Sequence, residues 1–288
     1  NIDFKKKQIL KFIHLYLFLN LIIIIFQMLN IFGSFTSLGY LSPDHEQNRR
    51  AIGLTGGSWE LGIIFSLCYF IILKFDKQIS ISRKILYFFI VLFINIVSEN
   101  RMNAIGFVIA NILMFKEIVS LKQYFLGFLV VLLGSVIVVF NLETIGLGGL
   151  IRLADTNYLD ALNLVKDFFI FEEMPLRDDV NESLWSLWYR LSLWSKLLVF
   201  YLDNFFTVIF GAGLYRVYFE STILRIIFTT GLIGTIYVIY NLRKLELFMV
   251  AYFIIIGITL DIFNSFKIFS MTMLYYRFYY EDYSNRRD

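Results

Sequence analysis

Apolar residues fall along this chain in long, nearly uninterrupted blocks separated by short polar joints. Neither the period of two of a half-buried strand nor the narrow stripe of a surface helix dominates. A helix that crosses a bilayer needs roughly 20 mainly apolar residues, fewer where flanking cations snorkel. On that criterion the blocks predict spans near 9–32, 59–75, 84–98, 102–119, 123–141, 221–241, 245–263 and 266–280. Those at 84–98, 102–119 and 266–280 are the shortest or most polar. Pro43 and Pro175 are the only prolines and both fall between spans, which predicts long, unbroken helices. The fold class expected is all-α, a multi-pass transmembrane helical protein. Membrane helices would occupy 1–141 and 220–288, around one large external loop over 142–219 that carries interfacial helices.

Composition narrows the setting. With 58% hydrophobic and 19% aromatic residues and a mean hydropathy of +0.69, a soluble globule of this length would have too little interior for its apolar surface. The lipid bilayer is the expected solvent. The chain begins at Asn1 rather than Met, so it is expected to be a segment of a longer protein. Lys5, Lys6 and Lys7 before an apolar run imitate a secretory signal. The run over 9–32 is too long for that and has no small-residue cleavage site, so it reads as a span. Cys68 is the only cysteine, which excludes an intrachain disulfide and a thiolate-rich metal site. His14 and His45 have no partner at ligand spacing and read as structural.

The net charge of +3 says little as a total. Its distribution says more. Threading the chain through eight spans puts Lys5, Lys6, Lys7, Lys11, Lys74, Lys77, Lys84, Lys116, Lys122 and Lys244 on one side, the cytoplasmic one by the positive-inside rule. Arg49, Arg50, Arg101, Arg152, Arg177, Arg190, Arg216 and Arg225 fall on the opposite side or at its boundary. Topology does not explain that split, whereas a function on the outer face does.

Arginine there has a chemical use. Its guanidinium is a planar fork that grips phosphate oxygens bidentately and stays charged when partly desolvated. Arg49 and Arg50 precede a glycine-rich approach, "AIGLTGGSWELG". Arg101 lies in "SENRMN", where Glu99 is a simple pairing partner. Arg190 sits in the aromatic stretch 183–206, whose Leu184, Leu187, Leu191 and Leu198 recur at helical spacing among Trp185, Trp188 and Trp194. That pattern suits a helix lying in the interface, as an anchor or as the wall of a cleft. Arg216 and Arg225 flank Glu220, which can cap a helix N-terminus or act as a general base. Some of these arginines would simply snorkel. Asp178 and Asp179 could ligate a divalent cation but read first as a solvated loop. No phosphate-loop, dinucleotide or zinc-protease motif is present.

Taken in order, "RRAIGLTGG", "SENR", "YRLSLW", "FGAG" and a polar residue before "GLIG" resemble the bacterial O-antigen polymerase and O-antigen ligase (Wzy-type) superfamily, from about residue 45 to 240. The resemblance implies a membrane glycosyltransferase acting on polyprenyl-diphosphate-linked oligosaccharide at the outer face of the bacterial cytoplasmic membrane. It implies arginines at Arg50, Arg101 and Arg190 for the donor's diphosphate, with Glu220 handling the acceptor hydroxyl. Arg49, Arg216, Arg225, Gly211 and Gly213 would complete the substrate site, with no metal, no cofactor and no nucleic acid. The ligase motif is His, a small polar residue, nine residues, then Gly-x-x-Gly. Glu220–Ser221 followed by Gly231 and Gly234 keeps that spacing with glutamate in place of histidine. The substitution points to a repeat-unit polymerase rather than a ligase that hands glycan to lipid A core or protein. A flippase and a chain-length regulator would be its protein partners. The reading from another class is a transporter of the same lipid-linked oligosaccharide, which should place ionisable groups near the bilayer midplane and often uses broken helices.

Overall fold

A computed structural model describes residues 2–29, 31, 51–98, 100–115, 158–170, 174–181, 184–213, 220–260, 262 and 265–284. The described residues form helices and no strand. In chain order these are α1 (Ile2–Met28), α2 (Ser58–Phe75), α3 (Ile81–Val97), α4 (Arg101–Phe115), α5 (Tyr158–Phe169), a 3-10 turn (Arg177–Asp179), α6 (Trp185–Leu202), α7 (Phe205–Phe210), α8 (Thr222–Leu242), α9 (Leu247–Thr259) and α10 (Phe266–Ser284). Three stretches are long and apolar enough to cross a membrane: Lys5–Met28, Ser58–Phe75 and Thr222–Leu242. Arg101–Phe115 and Leu247–Thr259 are shorter apolar helices. The block expected at 123–141 lies outside the described residues, as do His45, Glu99 and Arg152.

The chain divides into two compact units, Asn1–Val108 with Phe263–Asp288, and Ile109–Ile262. In the first, α1, α3 and α10 pack around α2, which is buried along almost its whole length, Ser58, Glu60 and Ser66 included. Its faces are filled by rings. Tyr69 and Phe70 lie 5.2 and 5.7 Å from Phe107, and Phe75 packs against Tyr275 and Phe278 at 5.3 and 5.5 Å. On α1 the buried residues Leu10, Ile13, Leu17, Asn20, Ile24 and Gln27 fall at spacings of three and four, one helical stripe. Two of the six are amides, and both hold backbone. Asn20 Oδ1 accepts from Leu54 N at 2.8 Å, and Gln27 Oε1 from Gly53 N at 2.8 Å.

In the second unit, α5 and α6 share an apolar seam of Leu164, Leu184 and Leu191. The leucines expected to share a face therefore do so at Leu184 and Leu191. The indoles fasten this unit: Trp185 Nε1 donates to Val180 O at 3.0 Å and Trp188 Nε1 to Pro175 O at 2.8 Å, while Arg177 lies over the Trp185 ring at 4.2 Å. Farther on, α7 packs on α8, and α8 on α9.

Candidate functional site

Helix α8 starts at Ser221, whose side chain accepts from Leu224 N at 3.3 Å and donates to Gly257 O at 3.0 Å. The serine, not the neighbouring glutamate, is therefore the N-cap. Thr222 ties the same end to the chain beyond α9: its N–H and hydroxyl both donate to Leu260 O, at 3.0 and 2.8 Å. Glu220 precedes this anchored start at φ +49°, the one non-glycine residue with positive φ among those described. That conformation costs an L-residue roughly 1–2 kcal/mol. The Glu220 carboxylate meets Arg190 of α6. Nε donates to Oε2 at 2.8 Å, with the side chains 27% and 23% exposed. A charge-assisted bond of this length is strong, yet solvent or a ligand can still reach both partners.

Helix α8 is not continuous. Gly231 adopts φ 62°, ψ −169°, a conformation essentially reserved for glycine, and breaks the helix in its middle. The sequence predicted an unbroken span here because it holds no proline; glycine supplies the break instead. Threonine hydroxyls flank it, Thr229 donating to Arg225 O, Thr230 to Ile226 O and Thr235 to Gly231 O, each at 2.7 Å. Such back-bonds bend helices. The turn after α7 lies against the break. Gly211 and Gly213 take φ +83° and +73°, and Ala212 N and Gly213 N donate to Phe228 O and Thr229 O at 2.8 and 3.2 Å. A helix interrupted this way needs outside donors for its last carbonyls, and this turn supplies two. Contact is so close that a Cβ on Gly231 would collide with Gly211 N and Ile209 O, and one on Gly211 with Thr229 O.

Beneath the turn Tyr201 donates to Val208 O at 2.7 Å, its ring 5.8 Å from that of Phe228. Burial raises this phenol's pKa above the usual tyrosine value, so it acts as a fixed donor rather than a titrating group.

Of the residues singled out by sequence, Glu220, Arg190, Gly211 and Gly213 belong to this unit. Glu220 meets Arg190 directly, and both glycines line the break in the helix that Glu220 precedes. Arg225 is half-buried one turn into α8. Arg101 opens α4 on an exposed position in the other unit. Arg49, Arg50 and Arg216 lie outside the described residues. Asp178 and Asp179 are exposed in the 3-10 turn, and among the described residues no three His, Cys, Asp or Glu side chains converge.

Sequence reasoning passed over one carboxylate. Glu60, in the first turn of α2, is 6% exposed. Its Oε2 accepts from Gly56 N at 2.6 Å, its Oε1 accepts from the Ser265 hydroxyl, and Lys267 Nζ stands 3.7 Å away while donating to Leu54 O at 3.2 Å. The glycine-rich approach 51–57 is thus folded around a buried carboxylate, with the partly exposed Lys267 beside it. A signal existed: a glutamate three residues into an apolar span is costly enough to demand a reason. Comparison of the chain with protein families, curated proteins and solved structures returned no match.

Proposed function

We propose that this chain is part of a membrane polysaccharide polymerase, which joins polyprenyl-diphosphate-linked repeat units at the outer face of the cytoplasmic membrane. The observation that carries the reading is the Arg190–Glu220 pair at the mouth of a glycine-broken apolar helix. The donor's diphosphate draws the Arg190 guanidinium to itself, since two phosphates offer more charge and more acceptor oxygens than one carboxylate. Glu220 is thereby released. It takes the proton of an acceptor hydroxyl on a second lipid-linked repeat as that oxygen attacks the donor's anomeric carbon. The bond from that carbon to the diphosphate breaks, and the electron pair leaves with polyprenyl diphosphate, neutralised by Arg190. Donor binding and base release are then one event, so Glu220 is masked until a donor arrives. Gly211 lets the turn press onto the helix break, and Gly213 leaves open space beside it, with nothing within 4 Å of where a Cβ would stand.

One observation favours a second reading. Discontinuous membrane helices are the usual substrate sites of transporters, and the break at Gly231 fits a carrier of the same lipid-linked oligosaccharide. Deleting the full-length gene in its native bacterium and running the surface glycan on a gel separates them. A polymerase loss collapses the ladder to a single capped repeat, and carrier loss removes surface glycan altogether. Polymer accumulating on its lipid carrier instead marks a ligase. An unchanged ladder sinks all three.

A further inference from the structure

A second polar cluster, in the unit built around α2, has no part in that chemistry. It sits where α2 ends and α3 begins. His14 on α1 is engaged at both nitrogens, with Tyr87 Oη 2.7 Å from Nδ1 and Asp76 Oδ2 3.0 Å from Nε2. The other Asp76 oxygen accepts from Gln78 N at 3.0 Å. An ionised carboxylate only accepts, so the Asp76 contact places a proton on Nε2. Both Asp76 oxygens are thus committed, and the cluster ties α1 to α3 through the joint between them.

The tie leaves a pocket of about 430 Å³ beside it, a volume within the usual range of ligand sites. Its lining is mixed and includes His14, Tyr87 and the Asp76 carboxylate of the tie, whose two oxygens are already engaged. Arg83 and Gln78 offer side-chain donors, and Ile79 and Leu86 form an apolar wall. Arg83 is exposed and pairs with no carboxylate among the described residues. Leu86 continues into an outward apolar strip on α3, with Ile85, Phe89 and Phe93 at 53, 44 and 46% exposure. Lys74, Lys77 and Lys84 flank the joint in sequence.

A guanidinium that pairs with no carboxylate among the described residues, at the head of an exposed apolar strip and among lysines, matches one chemistry. We infer that this pocket binds the phosphate of an anionic phospholipid, with Arg83 forking the phosphate oxygens, Gln78 donating beside it and an acyl chain lying along Leu86 and Phe89. The lysines raise the local concentration of anionic lipid, and the fork supplies the fixed contact. An arginine that merely snorkels needs no pocket. A plain histidine tie accounts for His14 but leaves Arg83, Gln78 and the strip unexplained.

The test is thermal unfolding of the purified chain in detergent, with added phosphatidylglycerol, phosphatidylcholine or inorganic phosphate. Phosphatidylglycerol is expected to raise Tm by several degrees in a saturable manner, as a ligand of the native state does, with no shift from the other two. Arg83→Gln abolishes that shift, whereas Lys84→Gln, which removes the same charge one residue away, retains most of it. Should Arg83→Gln not fold, Arg83→Lys keeps the charge without the fork and is expected to bind several-fold more weakly. An equal shift with phosphatidylcholine overturns the inference, as does full retention of the shift in the Arg83 variants. A shift with inorganic phosphate alone overturns the lipid assignment in favour of a free-phosphate site.

Discussion

Glu60 and Glu220 make an instructive pair. Each stands within a few residues of a helix start, and each faces a cation. Glu60 has both oxygens engaged: a backbone N–H and a serine hydroxyl donate to them, a lysine stands near, and it is 6% exposed. Glu220 has one partner among the described residues, sits on strained backbone and remains reachable. The first arrangement holds a loop in place. The second keeps a carboxylate aimed and exchangeable, at some expense in backbone strain. Both are carboxylates near a helix start, so what separates a fastening from the proposed reactive group is the number of committed contacts and the access left.

The sharpest way to break that contrast is at Glu220. Glu220→Gln keeps the shape and removes the basic oxygen. It is expected to lower polymer formation in reconstituted vesicles by about 10²- to 10⁴-fold, the usual contribution of a general base. Stability should move by no more than about 1 kcal/mol, as for a partly exposed ion pair. Glu220→Gly is the stricter variant, because it also relieves the positive φ. Equal or greater thermal stability with no product is the signature of a residue retained for chemistry. Wild-type product from either variant would remove Glu220 from the mechanism.

Glu60→Gln should do the reverse. It gives Gly56 N and the Ser265 hydroxyl a weaker acceptor, while the partly exposed Lys267 adds little, so unfolding should become easier by about 2 kcal/mol. Thermal melting of the purified protein reads this directly. Activity of the surviving folded fraction should stay near normal. A Tm unchanged by this substitution would mean that the buried carboxylate contributes little, and the contrast with Glu220 would lose its structural half.

How much of this was legible in advance differs between the two regions for physical reasons. Helix placement followed from hydropathy, because length and apolarity are local properties: the blocks predicted at 59–75 and 221–241 coincide closely with α2 and α8. Leu184 and Leu191 were also readable, since helical spacing puts them on one face. The meeting of Glu220 with Arg190, thirty residues apart, was readable only as a shared membrane face. Spacing alone gave no reason to pair these two rather than Glu220 with Arg216 or Arg225. Ser221 took the cap that could have been assigned to Glu220, because its short hydroxyl reaches Leu224 N while the glutamate faces elsewhere. The Asn20 and Gln27 contacts were detectable in principle as amides on an otherwise apolar buried stripe. Their partners, backbone N–H groups of residues 53 and 54, carry no sequence signature.

The helix break supplies a finer test. Gly231→Ala places a Cβ against Gly211 N and Ile209 O at a φ that alanine rarely adopts, and is expected to destabilise by about 2 kcal/mol. If the clasp between the turn and α8 aims Glu220, product formation falls as well, and Gly213→Ala falls less. Nothing lies within 4 Å of a Cβ at Gly213, so that variant carries only the strain of its φ. Equal losses at both positions would show that conformation, rather than close approach, matters at this turn.

The smallest expected effect probes the join between the two kinds of carboxylate. Ser221 caps α8 and also donates to Gly257 O, so its hydroxyl fixes the residue that follows Glu220. Ser221→Ala should lower stability by about 1 kcal/mol, typical for a lost N-cap. Because Glu220 keeps Arg190, the product rate should drop by less than tenfold, through looser aim rather than lost chemistry. A stability loss as large as that of Glu60→Gln would place the mouth of α8 with the fastenings. The ion pair there would then be one more clasp, and the search for the reacting carboxylate would have to move elsewhere in the chain.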